Sequence, residues 1–189
     1  LETLIGNWAT PLDEVVIMGH SMGGLVARSA CHHALQAGLE WPTYLRKLVF
    51  LGTPHHGAPL ERGGHGLDLA MNLSPYSMPL TRLSKARSVG ITDLRHGAVS
   101  EGKDIVPLPS GVKCYAAAAV RAAKRSLLSE RLIGDGLVPL DSALGRHRDK
   151  ARVLPIPTNR QWVGYGMGHR ELLSHPETYR QISTWLQEP

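Results

Sequence analysis

Short apolar runs alternate along the chain with stretches of helical character, and this alternation predicts an α/β fold. Residues 14–18 and 47–51 are runs of apolar residues that each begin with one charged residue and precede a glycine. Runs that are apolar on both faces are typical of buried strands in a parallel sheet. Between them, residues 22–36 favour a helix that ends near Gly38. Because a strand–helix–strand unit of this length is a crossover connection, the two strands should lie parallel.

Further elements are predicted in the second half of the chain. Residues 112–117 form a third candidate strand, 152–154 and 161–163 are two more, and 171–186 contain a last helix that is interrupted near Pro176. We expect helix 22–36 to face the sheet through small or apolar residues four apart, namely Met22, Val26, Ala30 and Ala34. The pattern as a whole indicates a mostly parallel sheet with flanking helices.

The stretch between the second and third strands is too long for an ordinary connection. Residues 53–111 contain six prolines and no strand pattern, and long segments of this kind are commonly functional insertions. We therefore predict a lid or cap over residues 58–111. The alternative is a small subdomain that only packs against the rest.

Composition narrows the classes of protein. The chain has 189 residues, 42% of them hydrophobic, and a formal net charge of +5, which excludes a wholly disordered chain. No apolar run is long enough for a transmembrane segment. Two cysteines, Cys31 and Cys114, exclude a disulfide scaffold and are expected to be buried small side chains. The basic residues are scattered, so no nucleic-acid partner is predicted.

The strongest chemical signal is a G-x-S-x-G motif between the first strand and the first long helix. It places Ser21 at the tip of a sharp turn, where a serine hydroxyl can act as nucleophile. We expect Gly19 and Gly23 to remove side chains that would collide across this turn. The backbone N–H of Met22, at the helix N-terminus, is the candidate donor to a developing oxyanion.

A serine nucleophile needs a histidine base that is oriented by a carboxylate. His169, just before the last helix, is the candidate base, with His175 as runner-up. Asp135, flanked by two glycines, is the candidate acid, and Asp141 and Asp149 are the alternatives. The remaining histidines of the helices and charged loops are expected to be packing or solvated residues: His32, His33, His96 and His147.

A histidine pair follows the second strand, at the sheet edge where Ser21 is expected. His55 and His56 suggest a metal site only weakly, because no nearby cysteine or carboxylate completes a ligand shell. We expect a structural loop with His55 at the border of a substrate pocket. His20, next to Ser21, is a second candidate for the pocket.

Four segments together resemble the α/β-hydrolase lipases, in particular the triacylglycerol-lipase and GPI inositol-deacylase-like branch. Residues 19–24 are similar to the nucleophile elbow of these enzymes, 52–57 to the loop after the next strand, 135–139 to the acid loop, and 169–174 to the histidine segment. The resemblance implies hydrolysis of lipid or other small-molecule esters through an acyl-enzyme on Ser21, Asp135 and His169. It implies that no cofactor is needed. No metal-ligating residues are predicted, and the need for a metal is left open.

The resemblance also implies strands and a second oxyanion donor ahead of the elbow, which this sequence lacks. We therefore expect a partial α/β-hydrolase domain, the C-terminal portion of a longer enzyme. Localisation is left open with a slight preference for the cytoplasm, and the oligomeric state is left open as well. The alternatives are a non-catalytic interaction module or inactive fragment, and an acyltransferase or thioesterase.

Overall fold

The computed structural model describes residues 1–57, 106–123 and 134–189. The lid predicted for residues 58–111 lies almost entirely outside these ranges. Within them, the chain builds a sheet of four parallel strands in the order β1-β2-β3-β4. The strands are Val15–His20 (β1), Leu45–Leu51 (β2), Lys113–Val120 (β3) and Gln161–Tyr165 (β4). The prediction of a mostly parallel sheet is confirmed, and the carboxyl ends of all four strands meet at one edge.

Helices connect and cover these strands. The α-helices are Glu2–Gly6 (α1), Met22–Gln36 (α2), Leu140–Ala143 (α3) and Pro176–Gln187 (α4). Short 3-10 helices span Trp41–Tyr44, Lys150–Arg152, Thr158–Arg160 and His169–Leu173. The predicted interruption at Pro176 is confirmed, because a 3-10 helix ends before it and α4 begins there. No described helix combines the length and the apolar character that crossing a membrane requires.

The strand predicted for residues 152–154 is wrong. A 3-10 helix occupies Lys150–Arg152 instead, and the side chain of Asp149 caps it by accepting a hydrogen bond from the Ala151 N–H. Pro155 follows at once, and a proline cannot donate to a strand ladder. The helix cap at Asp149 and the proline therefore decide the local structure, and the apolar pattern of residues 152–154 does not.

The face by which α2 packs also differs from the prediction. Of the four predicted residues, Ala34 is buried and Met22 is partly buried, whereas Val26 is half exposed and Ala30 is exposed. The residues that α2 buries are Gly24, Leu25, Ala27, Arg28, Cys31 and Ala34. Gly24 sets this rotation, because a Cβ at that position would lie 2.1 Å from Thr53 Oγ1. The close contact of Gly24 with Thr53, just after β2, decides which face of α2 meets the sheet, rather than the apolar periodicity.

The sheet separates two cores. In β2, Leu48 and Phe50 pack on the α2 side, whereas Val49 and Leu51 pack on the α4 side with Trp185. The run 47–51 in β2 is buried on both faces, as predicted. The same prediction for the first run is wrong, because β1, at one end of the described sheet, is largely half-buried and Met18 is 46% exposed. Cys31 and Cys114 are buried and unpaired, and burial raises the pKa of their thiols to about 11 and about 12. They are therefore protonated at neutral pH, consistent with a packing role.

Candidate active site

Ser21 occupies a strained turn between β1 and α2. Its φ and ψ are 55° and −130°, and it is the one non-glycine with positive φ in the described part of the chain. A conformation of this kind costs on the order of 1–3 kcal/mol and concentrates at functional sites. Gly19 makes the turn possible, because a Cβ there would lie 2.6 Å from Gly24 Cα. The expectation for Gly23 is wrong: an added Cβ would meet no described atom within 4 Å, and Gly24 supplies the second close approach.

Two backbone features hold the elbow in place. The Ser21 N–H donates to the Leu51 carbonyl at 2.8 Å, which ties the turn to the end of β2. Met22 is the first residue of α2, which is 15 residues long. An N–H at this position has no acceptor inside its own helix and lies at the positive end of the helix dipole. It is therefore available to a negatively charged oxygen at Ser21.

Asp135 lies in a tight loop after β3 and is buried. The two flanking glycines have φ values of 48° and 95°, and a Cβ at Gly134 would lie 2.2 Å from the Val138 carbonyl oxygen. Asp135 Oδ1 accepts the N–H groups of Leu137 and Val138 at 2.9 and 2.7 Å. These bonds fix the carboxylate so that Oδ2 faces the loop after β4.

His169 meets this carboxylate. Its Nδ1 lies 2.6 Å from Asp135 Oδ2, and its backbone N–H donates to the Asp135 carbonyl at 3.2 Å. Because an ionised carboxylate can only accept, the proton of a neutral His169 ring belongs on Nδ1. The other nitrogen, Nε2, is buried and has no hydrogen-bond partner among the described residues. The site therefore contains a histidine with one nitrogen committed to Asp135 and one available as a base.

Gly52, which sequence reasoning missed, lets His169 approach Ser21. Gly52 directly follows β2 and has a φ of 57°, and a Cβ there would lie 3.0 Å from His169 Cε1 and Nδ1. The Ser21 N–H donates a hydrogen bond to the carbonyl of Leu51, the residue just before Gly52. The elbow and the histidine ring thus both lie at the carboxyl end of β2. No Ser21–His169 hydrogen bond is made in this conformation, and such bonds commonly tighten only with substrate bound.

His20 contacts His169 directly. Its Nε2 lies 3.1 Å from the His169 carbonyl oxygen, and the two rings are 4.7 Å apart between centroids. Burial, and next the positive charge that His169 can carry, lower the pKa of His20. A substrate-pocket role for His20 stays a prediction, and the structure places the ring against the candidate base.

A buried polar cluster lies under the elbow. Arg28 is 4% exposed, donates through Nη2 to the Val106 carbonyl, and approaches His55 Nδ1 with Nη1 at 3.4 Å. Burial lowers the pKa of Arg28 to about 10. His55 is 2% exposed and packs edge-on against Phe50; a pocket role for it stays a prediction. Arg28 was not predicted, because helical periodicity alone assigns a charged residue to the surface.

The runner-up residues have other local contacts. His175 caps α4 by accepting the Glu177 N–H, and His147 Nδ1 accepts the Asp149 N–H. Asp141 is exposed in the first turn of α3, and Asp149 is exposed as the cap described above. The described residues include no group of three or more His, Cys, Asp or Glu side chains that could hold a metal ion.

The parallel sheet, the strained serine turn and the order of the loops define an α/β-hydrolase fold. The sequence profile of the PGAP1-like alpha/beta domain matches residues 4–119, and the chain belongs to that family. Asp135 and His169 lie beyond the matched residues. A search of curated proteins finds no match.

Solved structures of hydrolases share this fold. The Bacillus licheniformis lipase BlEst2 aligns with 92% of this chain at 20% identity and a TM-score of 0.55. A Staphylococcus hyicus lipase aligns with 94% of this chain at 16% identity and a TM-score of 0.54. EstA from Clostridium botulinum aligns with 92% of this chain at 14% identity and a TM-score of 0.53. The alignments cover 65%, 70% and 64% of those chains respectively. For BlEst2 and EstA, the chain therefore spans less than two thirds of the length.

Proposed function

We propose that the protein is a serine hydrolase that cleaves carboxylic esters, lipid esters among them, through an acyl-enzyme. The observation that carries the proposal is the His169–Asp135 pair, 2.6 Å apart. His169 Nε2 has no hydrogen-bond partner among the described residues, and Ser21 lies in a strained turn at the same edge of the sheet. Strain at Ser21 and a buried, unpartnered His169 Nε2 would each be costly in a purely structural loop. A nucleophile and its base account for both.

In this mechanism, Ser21 Oγ attacks the ester carbonyl carbon while His169 Nε2 takes the hydroxyl proton. The C–O bond to the alcohol then breaks, and His169 returns the proton to the leaving oxygen. Water repeats the sequence on the acyl-Ser21 ester and releases the carboxylic acid. Asp135 holds the ring by Nδ1 throughout and stabilises the imidazolium that forms.

The negative charge that develops on the carbonyl oxygen needs donors. The Met22 N–H, at the first position of α2, supplies one, and the helix dipole adds to it. Because the elbow is fixed by the Leu51 carbonyl and by close packing of Gly24 on Thr53, this donor needs no rearrangement to act.

The comparisons support the proposal at the level of fold. Two of the similar structures are described as lipases, and ester substrates come to this chain from that likeness. A non-catalytic module would have no need to keep a histidine and an aspartate in register across separate loops. The short Nδ1–Oδ2 distance therefore favours the enzyme over the module.

The test is covalent labelling and turnover with the full chain. We expect a fluorophosphonate to label Ser21 and p-nitrophenyl esters to be hydrolysed, with both lost in Ser21→Ala by at least about 10³-fold. Ser110→Ala, at an exposed turn, is the matched control and should behave like the wild type. Turnover that survives in Ser21→Ala, or a wild type that is neither labelled nor active, refutes the proposal. If an added alcohol is converted to an ester by the enzyme, the activity is acyl transfer instead of hydrolysis.

A further inference from the structure

His20 joins two parts of the site that lie far apart in the sheet. It ends β1, whereas His169 follows β4, and β2 and β3 lie between those strands. The His20 ring nevertheless reaches the His169 carbonyl at 3.1 Å and lies against the His169 ring at 4.7 Å. The residue just before the nucleophile is thus in contact with the candidate base through both backbone and ring.

The chemistry of this contact fixes the state of His20. A carbonyl oxygen can only accept, so His20 Nε2 carries the proton that it donates. Among the described residues, the ionisable groups that act on the ring are His169, which lowers its pKa, and Asp135, which raises it to a smaller extent. Burial and His169 lower the pKa of His20, so a neutral ring faces the base at neutral pH. A neutral neighbour does not oppose the imidazolium that forms on His169.

Resting on the proposed function, we propose that His20 is a positioning residue that sets His169 relative to Ser21. Asp135 comes from the loop after β3 and orients the imidazole about Nδ1. His20 is covalently next to Ser21, so its bond to the His169 carbonyl sets the distance between the elbow and the histidine loop. Asp135 thus constrains the orientation of the His169 ring, and His20 constrains the distance of the ring from the elbow. Both are needed for proton transfer.

A matched pair of amide variants tests the bond. The amide nitrogen of His20→Gln reaches the position of Nε2, whereas that of His20→Asn is one methylene too short. We expect kcat for a short p-nitrophenyl ester to fall on the order of 10- to 100-fold in His20→Asn and to be largely restored in His20→Gln. KM should not change in either variant. If His20→Asn does not fold, His20→Phe, which keeps the ring volume without a donor, takes its place.

A proton signal provides a readout that does not depend on turnover. The proton between His169 Nδ1 and Asp135 should give a strongly deshielded NMR resonance. We expect it to persist in His20→Gln and to broaden by solvent exchange in His20→Asn. If the wild type neither hydrolyses esters nor reacts with the fluorophosphonate, the proposed function fails, and this resonance alone decides the positioning role. An unchanged resonance and kcat in His20→Asn, or a changed KM with kcat intact, overturns the proposal.

Discussion

At the scale of single residues, the space above Gly52 is what allows His169 to lie over the end of β2. Gly52→Ala would place a Cβ 3.0 Å from two atoms of the His169 ring, at a φ of 57°. Because the ring would be pushed from its place beside Ser21, we expect kcat to fall on the order of 10²-fold. The fall in kcat is measured by ester hydrolysis, and a thermal melt of the same sample measures how much stability the variant loses.

The control for this prediction is Gly38→Ala. Gly38 has a similar φ of 64°, but an added Cβ meets no described atom within 4 Å. The two substitutions therefore share the cost of a left-handed alanine, about 1–2 kcal/mol. They differ in the close contacts that Gly52→Ala makes, with His169 and with Leu172 Cδ1 at 3.0 Å. Equal loss of kcat in both variants would show that backbone strain, and not displacement of the ring, is responsible.

Residue chemistry was predictable where it is local. The elbow motif and the glycines around Asp135 mark their positions, because a sharp turn and a positive φ both require specific residues. His20, Gly52 and Arg28 were not predictable in their observed roles. Each acts through a neighbour that is distant in sequence, and such contacts exist only once the strands are ordered.

At the scale of elements, hydrogen bonds from Lys47 in β2 hold the C-terminal end of α4 against the sheet. Lys47 is 4% exposed, and its Nζ donates to the carbonyls of Leu186 and Glu188 at the end of that helix. Lys47→Met would leave these carbonyls without their donor and remove a cation from the helix C-terminus. We expect a loss of about 1–3 kcal/mol in the free energy of unfolding, measured by urea denaturation.

Arg46→Met is the control for Lys47→Met. Arg46 is the residue before Lys47 in β2 but is exposed, and within the described part of the chain its side chain donates to the Thr43 carbonyl and to no other group. Its substitution should shift the urea midpoint little. A similar shift in both variants would show that loss of charge from β2, and not the attachment of α4, lowers stability.

Element boundaries were less predictable than element types. The prediction ended the third strand at residue 117, but β3 continues to Val120. Two of the three residues beyond the predicted end, Ala118 and Ala119, are alanines, which have weak strand preference. Pairing with β4, such as Ala118 with Val163, keeps them extended. The prediction of the packing face of α2 was wrong at Val26 and Ala30 for the same reason: a tertiary contact, and not the local pattern, determines that face.

At the scale of the whole molecule, three histidines bind the proton less readily than they would in the unfolded chain. Burial is the largest cause of the lowered pKa in His20, His55 and His56. A lowered pKa means that the unfolded chain takes up more protons than the folded one. The stability that these groups contribute is therefore complete above the ordinary value of 6.5 and is lost as the pH falls below it towards their folded-state pKa values.

His55 should dominate this loss, because it is almost completely buried and the charge of Arg28 opposes its protonation. Its contribution to the slope reaches at most about 1.4 kcal/mol per pH unit. His55→Asn keeps an acceptor for Arg28 but does not titrate. We therefore expect urea midpoints between about pH 7 and about pH 5 to fall less steeply in this variant than in the wild type. His33→Asn, on the exposed side of α2, should keep the wild-type slope. An unchanged slope in His55→Asn would mean that the acid sensitivity arises elsewhere, because the one strongly buried histidine under the elbow would then not resist protonation.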